Sequence, residues 1–286
     1  MRRAITIKDE LGQITTIEDL TQVFESIASM HISKIRGRVV ASKSFFAELW
    51  QIYGGLRVDS KERLKRRTGK NGRTVLLAIT SESSFGSSSN DHVLEAAKAA
   101  HADANDTDVM AIGSYGASWF ARHKIPVVQA FTMPEHDTNI NVDQATAILS
   151  KYKRITVFYQ TYDSLRVQKV ARIDLVSTIR QLGEDTGEET EILSPHDFIF
   201  EPGTDEIADY LESVMMGVAL IQVIMETKLA DYANRFNNMS LAKQRAKDLV
   251  SDFQHEFYRA RRSEADERLK EIIKAVRYVH GSRRAN

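Results

Sequence analysis

The sequence has 286 residues, 42% of them hydrophobic, enough for a sizeable core divided over one or two folded units. Lys and Arg total 39 and Asp and Glu total 39, a balance that argues against a nucleic-acid binder, and the absence of cysteine excludes disulfides and thiolate metal sites. No run of about 18 uninterrupted apolar residues predicts a membrane span, and Met1-Arg2-Arg3-Ala4 lacks the apolar continuation of a signal peptide, so a soluble protein of a reducing compartment is expected.

All four prolines, at 126, 134, 195 and 202, lie in the middle of the chain, leaving both ends free of the strongest helix breaker. In the first segment Ile17, Leu20, Phe24 and Ile27 lead into Met30, Ile35, Val39, Phe46, Leu49, Tyr53 and Leu56. Their spacings of three and four predict a helix with most of these on one stripe. Thr15 with Glu18 predicts a capping-box start, and Gly54-Gly55 a stop.

The middle alternates between strand-like and helix-like periods. Val75–Thr80, Val109–Ile112, Ile125–Val128 and Ile155–Tyr159 are short β-branched, apolar runs. Val93–Ala102, Trp119–His123 and Asp143–Tyr152 fall between them as helices, which predicts an α/β sheet domain. From Val218 to His280 there is neither Gly nor Pro. There Met225, Leu229, Tyr232, Phe236, Met239, Ala246, Val250, Phe253, Phe257 and Ala260 step by three and four, an apolar seam with Lys243 as its polar interruption. Roughly 60 helical residues at 1.5 Å each reach on the order of 90 Å, so such a helix must project and needs a partner for its seam. The N-terminal helix supplies one, and Leu20, Ile27, Leu229, Phe236, Met239, Val250, Phe253 and Phe257 are the expected seam residues. The expected architecture is a long antiparallel coiled coil of N- and C-terminal helices, 1–65 and 205–286, with an α/β domain inserted at 66–204.

Several stretches imitate chemical sites. Gly113-Ser-Tyr-Gly116 stands where a phosphate-binding turn would, but the full GxGxxG and its downstream acid are missing, which favours a plain strand-to-helix turn. Gly69–Arg73 has no Walker sequence and reads as an exposed connection. Asp103, Asn105, Asp106 and Asp108 lack the glycine and glutamate of a calcium loop and read as a solvated loop. Ser81–Asn90 contains no GxSxG elbow, and its expected role is a loop with Ser89 or Asn90 capping the next helix. No catalytic residue, cofactor or metal site is expected. An enzyme reading would make the middle a nucleotide-using transferase, and a scaffold reading would make the chain a non-rotary coiled-coil adaptor.

Five segments in order carry a resemblance: Ile17–Ala28, Ile112-Gly-Ser-Tyr-Gly116 with Phe120-Ala-Arg122 and Ile125–Val128, Phe198-Ile-Phe-Glu201-Pro202, Asp231–Met239, and Phe257-Tyr-Arg-Ala-Arg261-Arg262 with Glu271-Ile272. Together they resemble the gamma subunit of F-type ATP synthases, with an inserted domain of Rossmann-like kind. The resemblance implies a non-catalytic rotor that transmits torque between a membrane ring of ion-carrying subunits, the c-ring, and a ring of alpha and beta nucleotide-binding subunits. An epsilon subunit is the remaining implied partner. The implied place is the cytoplasmic side of a cell membrane, peripheral to it. Implied contacts with the catalytic ring are Phe24, Arg261, Arg262, Asp266 and Glu267. Implied contacts with the membrane ring are Met215, Met216, Gln222 and Glu226. The sequence departs from the family where Glu82–Ser87 replaces an Asp-Arg-Gly-Leu-Cys-Gly loop, keeping only Asn90 at its end, and where Phe24, His31, Arg262 and Arg268 replace other types. Glu18-Asp19-Leu20 and Met133-Pro134 are similar to an alternative, often sodium-linked branch.

Overall fold

A computed structural model describes residues 3–55, 72–82, 89–104, 106–138, 140–179 and 204–282. Ten elements follow in order: α1 (Ala4–Gly55), β1 (Thr74–Ile79), α2 (Ser89–Ala102), β2 (Thr107–Ile112), α3 (Ser114–Arg122), β3 (Val127–Phe131), α4 (Asp143–Leu149), β4 (Arg154–Tyr162), β5 (Gln168–Asp174) and α5 (Thr204–Ser282). The chain forms two compact units, one of 1–27 with 236–286 and one of 28–235. This division differs from the tripartite one drawn from periodicity. Residues 28–55 and 204–235 of the long helices belong with the sheet, because they supply much of its larger core.

In the sheet-bearing unit the strand order is β3-β2-β1-β4-β5, parallel except for the β4–β5 pair. Both faces are covered, so the central strands read as continuous apolar runs. Side chains still alternate by face. Val75, Leu77 and Ile79 join Met110, Ile112, Ile155 and Val157 in a core completed by Phe46 and Tyr53 of α1 and Leu211–Ile224 of α5. Leu76, Ala78, Val109, Ala111 and Phe158 point the other way, under α2 and α3 with Trp119 and Phe120.

Two strands differ from expectation. β3 begins at Val127 rather than Ile125, since Pro126 has no N–H to give the ladder, and the register slips opposite Val109/Met110. β5 has no counterpart in the sequence reading. It is an edge strand whose Lys169 and Arg172 interrupt the apolar pattern, while Ala171 and Ile173 pack inward.

In each unit the two long helices run antiparallel. In the smaller unit the Ala4 N–H donates to Glu264 at 2.8 Å and Lys243 pairs with Glu25 at 3.0 Å, which gives the seam's polar interruption its partner. Phe253 and Phe257 pack on Ala4, Ile7 and Ala260. In the sheet-bearing unit His31 stacks on Tyr232, and Tyr53 donates to Glu212 at 2.7 Å.

The covered face of α1 corrects the sequence reading. Buried or half-buried residues recur every seventh position in two series, Ile7, Ile14, Thr21, Ala28, Ile35 and Ala4, Leu11, Glu18, Glu25, Ile32, Val39, Phe46, Tyr53. That is a heptad repeat. Leu20 and Ile27 lie outside it, 51% and 42% exposed, with Ile17 and Phe24 beside them on the open face. Between residues 17 and 28 the large apolar residues form a second stripe, while the small or polar Thr21 and Ala28 fill the covered one. The helix also starts at Ala4, well before Thr15, whose hydroxyl instead bonds back to the Leu11 carbonyl at 2.9 Å. Helix α1 is described as far as Gly55, and the residues after the glycine pair lie outside the described ones. On α5 Leu229 is buried, and Phe236, Met239 and Val250 are half-buried.

Candidate functional site

The Gly113 turn is built for closeness rather than for a ligand. Gly113 has φ 103°, and a Cβ there would lie 2.2 Å from the Thr80 carbonyl oxygen. The Gly116 N–H donates to the Thr80 hydroxyl at 3.0 Å, and the backbone N–H and hydroxyl of Ser114 both donate to Glu82. A side chain and a carboxylate thus occupy the amides a phosphate would use, and the plain-turn reading stands. Gly113→Ala should cost about 2–3 kcal/mol, from positive φ and a backbone clash, with loss read in a urea melt.

The other imitations resolve similarly. Asp106 and Asp108 each lie 3.0 Å from the Arg73 guanidinium, and the Tyr152 hydroxyl donates to Asp108 at 3.0 Å. The Asn90 amide donates to the Ser81 hydroxyl at 2.7 Å from inside the first turn of α2, so it ties the end of β1 rather than capping the helix. Among the described residues no group of three or more His, Asp or Glu could hold a metal. A cleft of ≈ 510 Å³ opens at the carboxyl edges of β2 and β3, where ligands of such sheets usually sit, yet Asp143 is the one ionisable residue in its lining.

One charged cluster stands out. Asp137, in the segment after β3, has a side chain 4% exposed, and its two carboxylate oxygens take different partners. Lys228 Nζ of α5 lies 2.6 Å from Oδ1, and His31 Nδ1 of α1 lies 3.2 Å from Oδ2. Burial alone would push this carboxyl up. The hydrogen bond and charge of Lys228, then those of His31, outweigh it and hold the carboxyl below its ordinary value. Lys228 donates also to the Pro134 carbonyl at 2.8 Å. Tyr232 lies parallel to the His31 ring with centroids 4.5 Å apart, and Arg235 sits over Tyr232 while pairing with Asp231 at 2.8 Å. A pocket of ≈ 140 Å³ borders this cluster.

The expected contact residues fall into two classes. Arg261, Arg262, Asp266, Glu267 and Phe24 are exposed. Met215 and Met216 are fully buried in the core beneath the sheet, so they cannot form a contact surface. Gln222 is half-buried with its Oε1 enclosed, and Glu226 accepts a hydrogen bond from Tyr159 at 3.3 Å. Burial, then the charge and hydrogen bond of Glu226, push the Tyr159 hydroxyl above the ordinary phenol value, so it donates throughout the neutral range. Of the expected foot, Met215 and Met216 therefore face the core, while Gln222 and Glu226 keep part of their surface open. The same stretch makes α5 apolar enough to cross a membrane by composition, but half of that window is buried inside the protein. Phe198–Pro202, Ser83–Ser87 and Gly69–Asn71 lie outside the described residues.

Sequence reasoning missed two exposed stripes. One is Ile17, Leu20, Phe24 and Ile27 on α1, of which Leu20 and Ile27 were expected in the seam and Phe24 as a ring contact. The other is Leu269, Ile272, Ile273 and Val276 near the end of α5. Steps of three and four mark both, and that signal was available.

The family model described as ATP synthase matches residues 4–277, nearly the whole chain. The chain belongs to the ATP synthase gamma-chain family. As a gamma chain it is 20% identical over 282 residues to the ATP synthase gamma chain of Mycoplasmoides gallisepticum, covering 93% of this chain and 96% of that one. It is 22% identical to the chloroplastic gamma chain of Trieres chinensis, covering 95% and 83%. In fold it is similar to a chain of the Euglena gracilis mitochondrial ATP synthase, with a TM-score of 0.60, 14% identity, and 97% and 96% coverage. A chain from the central stalk and c-ring of the Tetrahymena thermophila enzyme gives a TM-score of 0.55 at 16% identity, covering 78% and 99%.

Proposed function

We propose that this gamma chain is the central-stalk rotor of a rotary ATP synthase or ATPase and carries no catalytic residue. It turns inside a ring of alpha and beta nucleotide-binding subunits, binds an epsilon subunit, and takes torque from or gives it to a membrane c-ring. It sits on the cytoplasmic side of the membrane as a peripheral part of the complex. The observation that carries the reading is the seven-residue repeat along α1 facing the three-four steps of α5, because interlocked side chains resist twist. The exposed apolar stripes support an enclosing partner, since a lone soluble chain gains nothing from Ile17, Leu20, Phe24 and Ile27 in water. Arg261, Arg262, Asp266 and Glu267 are the polar contacts we assign to the catalytic ring. The arginine forks can engage carboxylates with two parallel bonds, which gives direction to the contact.

Co-purification of the native complex with subunit stoichiometry by mass tests the reading. One copy of this chain per nucleotide-binding ring is expected, and its absence from that ring would defeat the proposal. Arg261→Glu should leave the chain's melting unchanged while lowering ion transport per ATP about three- to tenfold in vesicles. Unchanged transport would reduce the four charges to a solvated face.

A further inference from the structure

Asp137 sits where three parts of the sheet-bearing unit meet. The segment that carries it is tied to the sheet side through Glu82, which accepts from the Met133 N–H and from Ser114 at the start of α3. The same segment holds α5 through one ammonium, which forms an ion pair with Asp137 and donates a hydrogen bond to the Pro134 carbonyl. It holds α1 by His31. Lys228, Asp231, Tyr232 and Arg235 lie three and four apart, on one face of α5 over two turns. Tyr232 then closes the triangle by stacking on His31 at an interplanar angle of 7°. One loop carboxylate therefore bridges both long helices.

Stability does not require this arrangement. Replacing a buried ion pair with apolar residues of similar volume is commonly neutral or stabilising, because desolvation offsets the Coulomb gain. What the ions add is direction. A charge-assisted hydrogen bond fixes distance and angle, whereas an apolar contact slides at little cost. A helix pair that only needed burial would be served by the Met and Leu residues packed a few turns away on α5.

We propose that the Asp137–Lys228–His31 joint is the point at which torsional load passes between the sheet and the two long helices. Its members are positioning residues for torque transfer, and the inference rests on the rotor reading above.

The test uses the intact complex in inverted membrane vesicles, carrying the parent chain, the double variant Asp137→Leu/Lys228→Met, or Lys228→Arg. ATP hydrolysis, ATP-driven ion uptake and the melting temperature of each chain are measured. The double variant should melt within about 3 °C of the parent, since both charges leave together. It should hydrolyse ATP within about twofold of the parent, yet ion uptake per ATP should fall about three- to tenfold. Lys228→Arg keeps the charge and should retain at least about half of the parent's uptake per ATP. An unchanged ratio in the double variant would overturn the proposal. So would a double variant that melts far below the parent, which would make the joint a stability element. Equal loss in Lys228→Arg would also count against it. Failure of the parent chain to co-purify with the nucleotide-binding ring would defeat the rotor reading itself, before any variant is compared.

Discussion

Asp137→Asn should destabilise the chain by about 3–5 kcal/mol, whereas Asp231→Asn should leave it within about 1 kcal/mol of the parent or slightly above it. Both carboxylates are buried on the same patch, and only their partners differ. Removing the Asp137 charge leaves Lys228, with a side chain 8% exposed, facing a neutral amide with little water to replace it. At Asp231 burial is the largest influence and pushes the carboxyl up, while the charge and hydrogen bond of Arg235 and the charge of Lys228 pull it down without prevailing. Its ionised form is therefore a cost at neutral pH, and an amide removes that cost while still accepting from Arg235.

The pH dependence has opposite signs at the two sites. Asp137 has a depressed folded value, so its contribution is present above the ordinary carboxyl range near 3.9 and is lost as pH falls through the lower folded value. Asp231 has a raised folded value, so acidification toward that value relieves its cost. Urea melts of the parent and both variants at neutral pH and below about pH 4 check this. The gap between the parent and Asp137→Asn should narrow at the acid end. A constant gap would mean that the carboxylate does not act through its charge.

Ile35→Asp should cost more than about 4 kcal/mol, and Ile27→Asp should change the folded chain by no more than about 0.5 kcal/mol. The two isoleucines stand eight residues apart on one helix. Ile35 is 0% exposed and belongs to the heptad series, so an aspartate there is a charge cut off from water. Ile27 is nearly half open, and an aspartate there meets water. In the assembled complex the second substitution should matter. A charge on the exposed stripe would meet the enclosing ring, and incorporation of Ile27→Asp should fall while its isolated melting stays that of the parent. Denaturant melts of both chains, with a pull-down of the complex, separate these outcomes. Unfolding of the isolated chain by Ile27→Asp would restore Ile27 to the seam between the helices.

Local periodicity was sufficient for much of the architecture. On α5 the steps from Leu229 to Ala260 marked the covered face because its large apolar residues are also its buried ones. Three strands, β1, β2 and β4, were legible because central strands covered on both sides must be largely apolar; the edge strand β3 was legible from its Val-Val run although its middle is exposed, and the turn at Gly113 because a missing phosphate motif leaves only a turn. β5 was not legible, because an edge strand with one open face spends half its positions on polar residues.

Where burial depends on a distant partner, the sequence ran out. On α1 hydrophobicity chose Leu20, Phe24 and Ile27, while the tertiary structure chose Thr21 and Ala28, since what is covered depends on which face meets the other helix. Met215 and Met216 read equally well as surface or core until the sheet lay over them. The Asp137 joint unites His31, 106 residues away, with a lysine of α5, and neither residue carries a local mark of its role. The sequence by itself determined the two long helices, four of the five strands with their order, and the family, because helices and strands depend on near neighbours and the family on short motifs in order. Only the tertiary structure decided which face of α1 is the seam, that Met215 and Met216 are core, and that one carboxylate binds two helices, because those depend on contacts between residues about a hundred to more than two hundred positions apart.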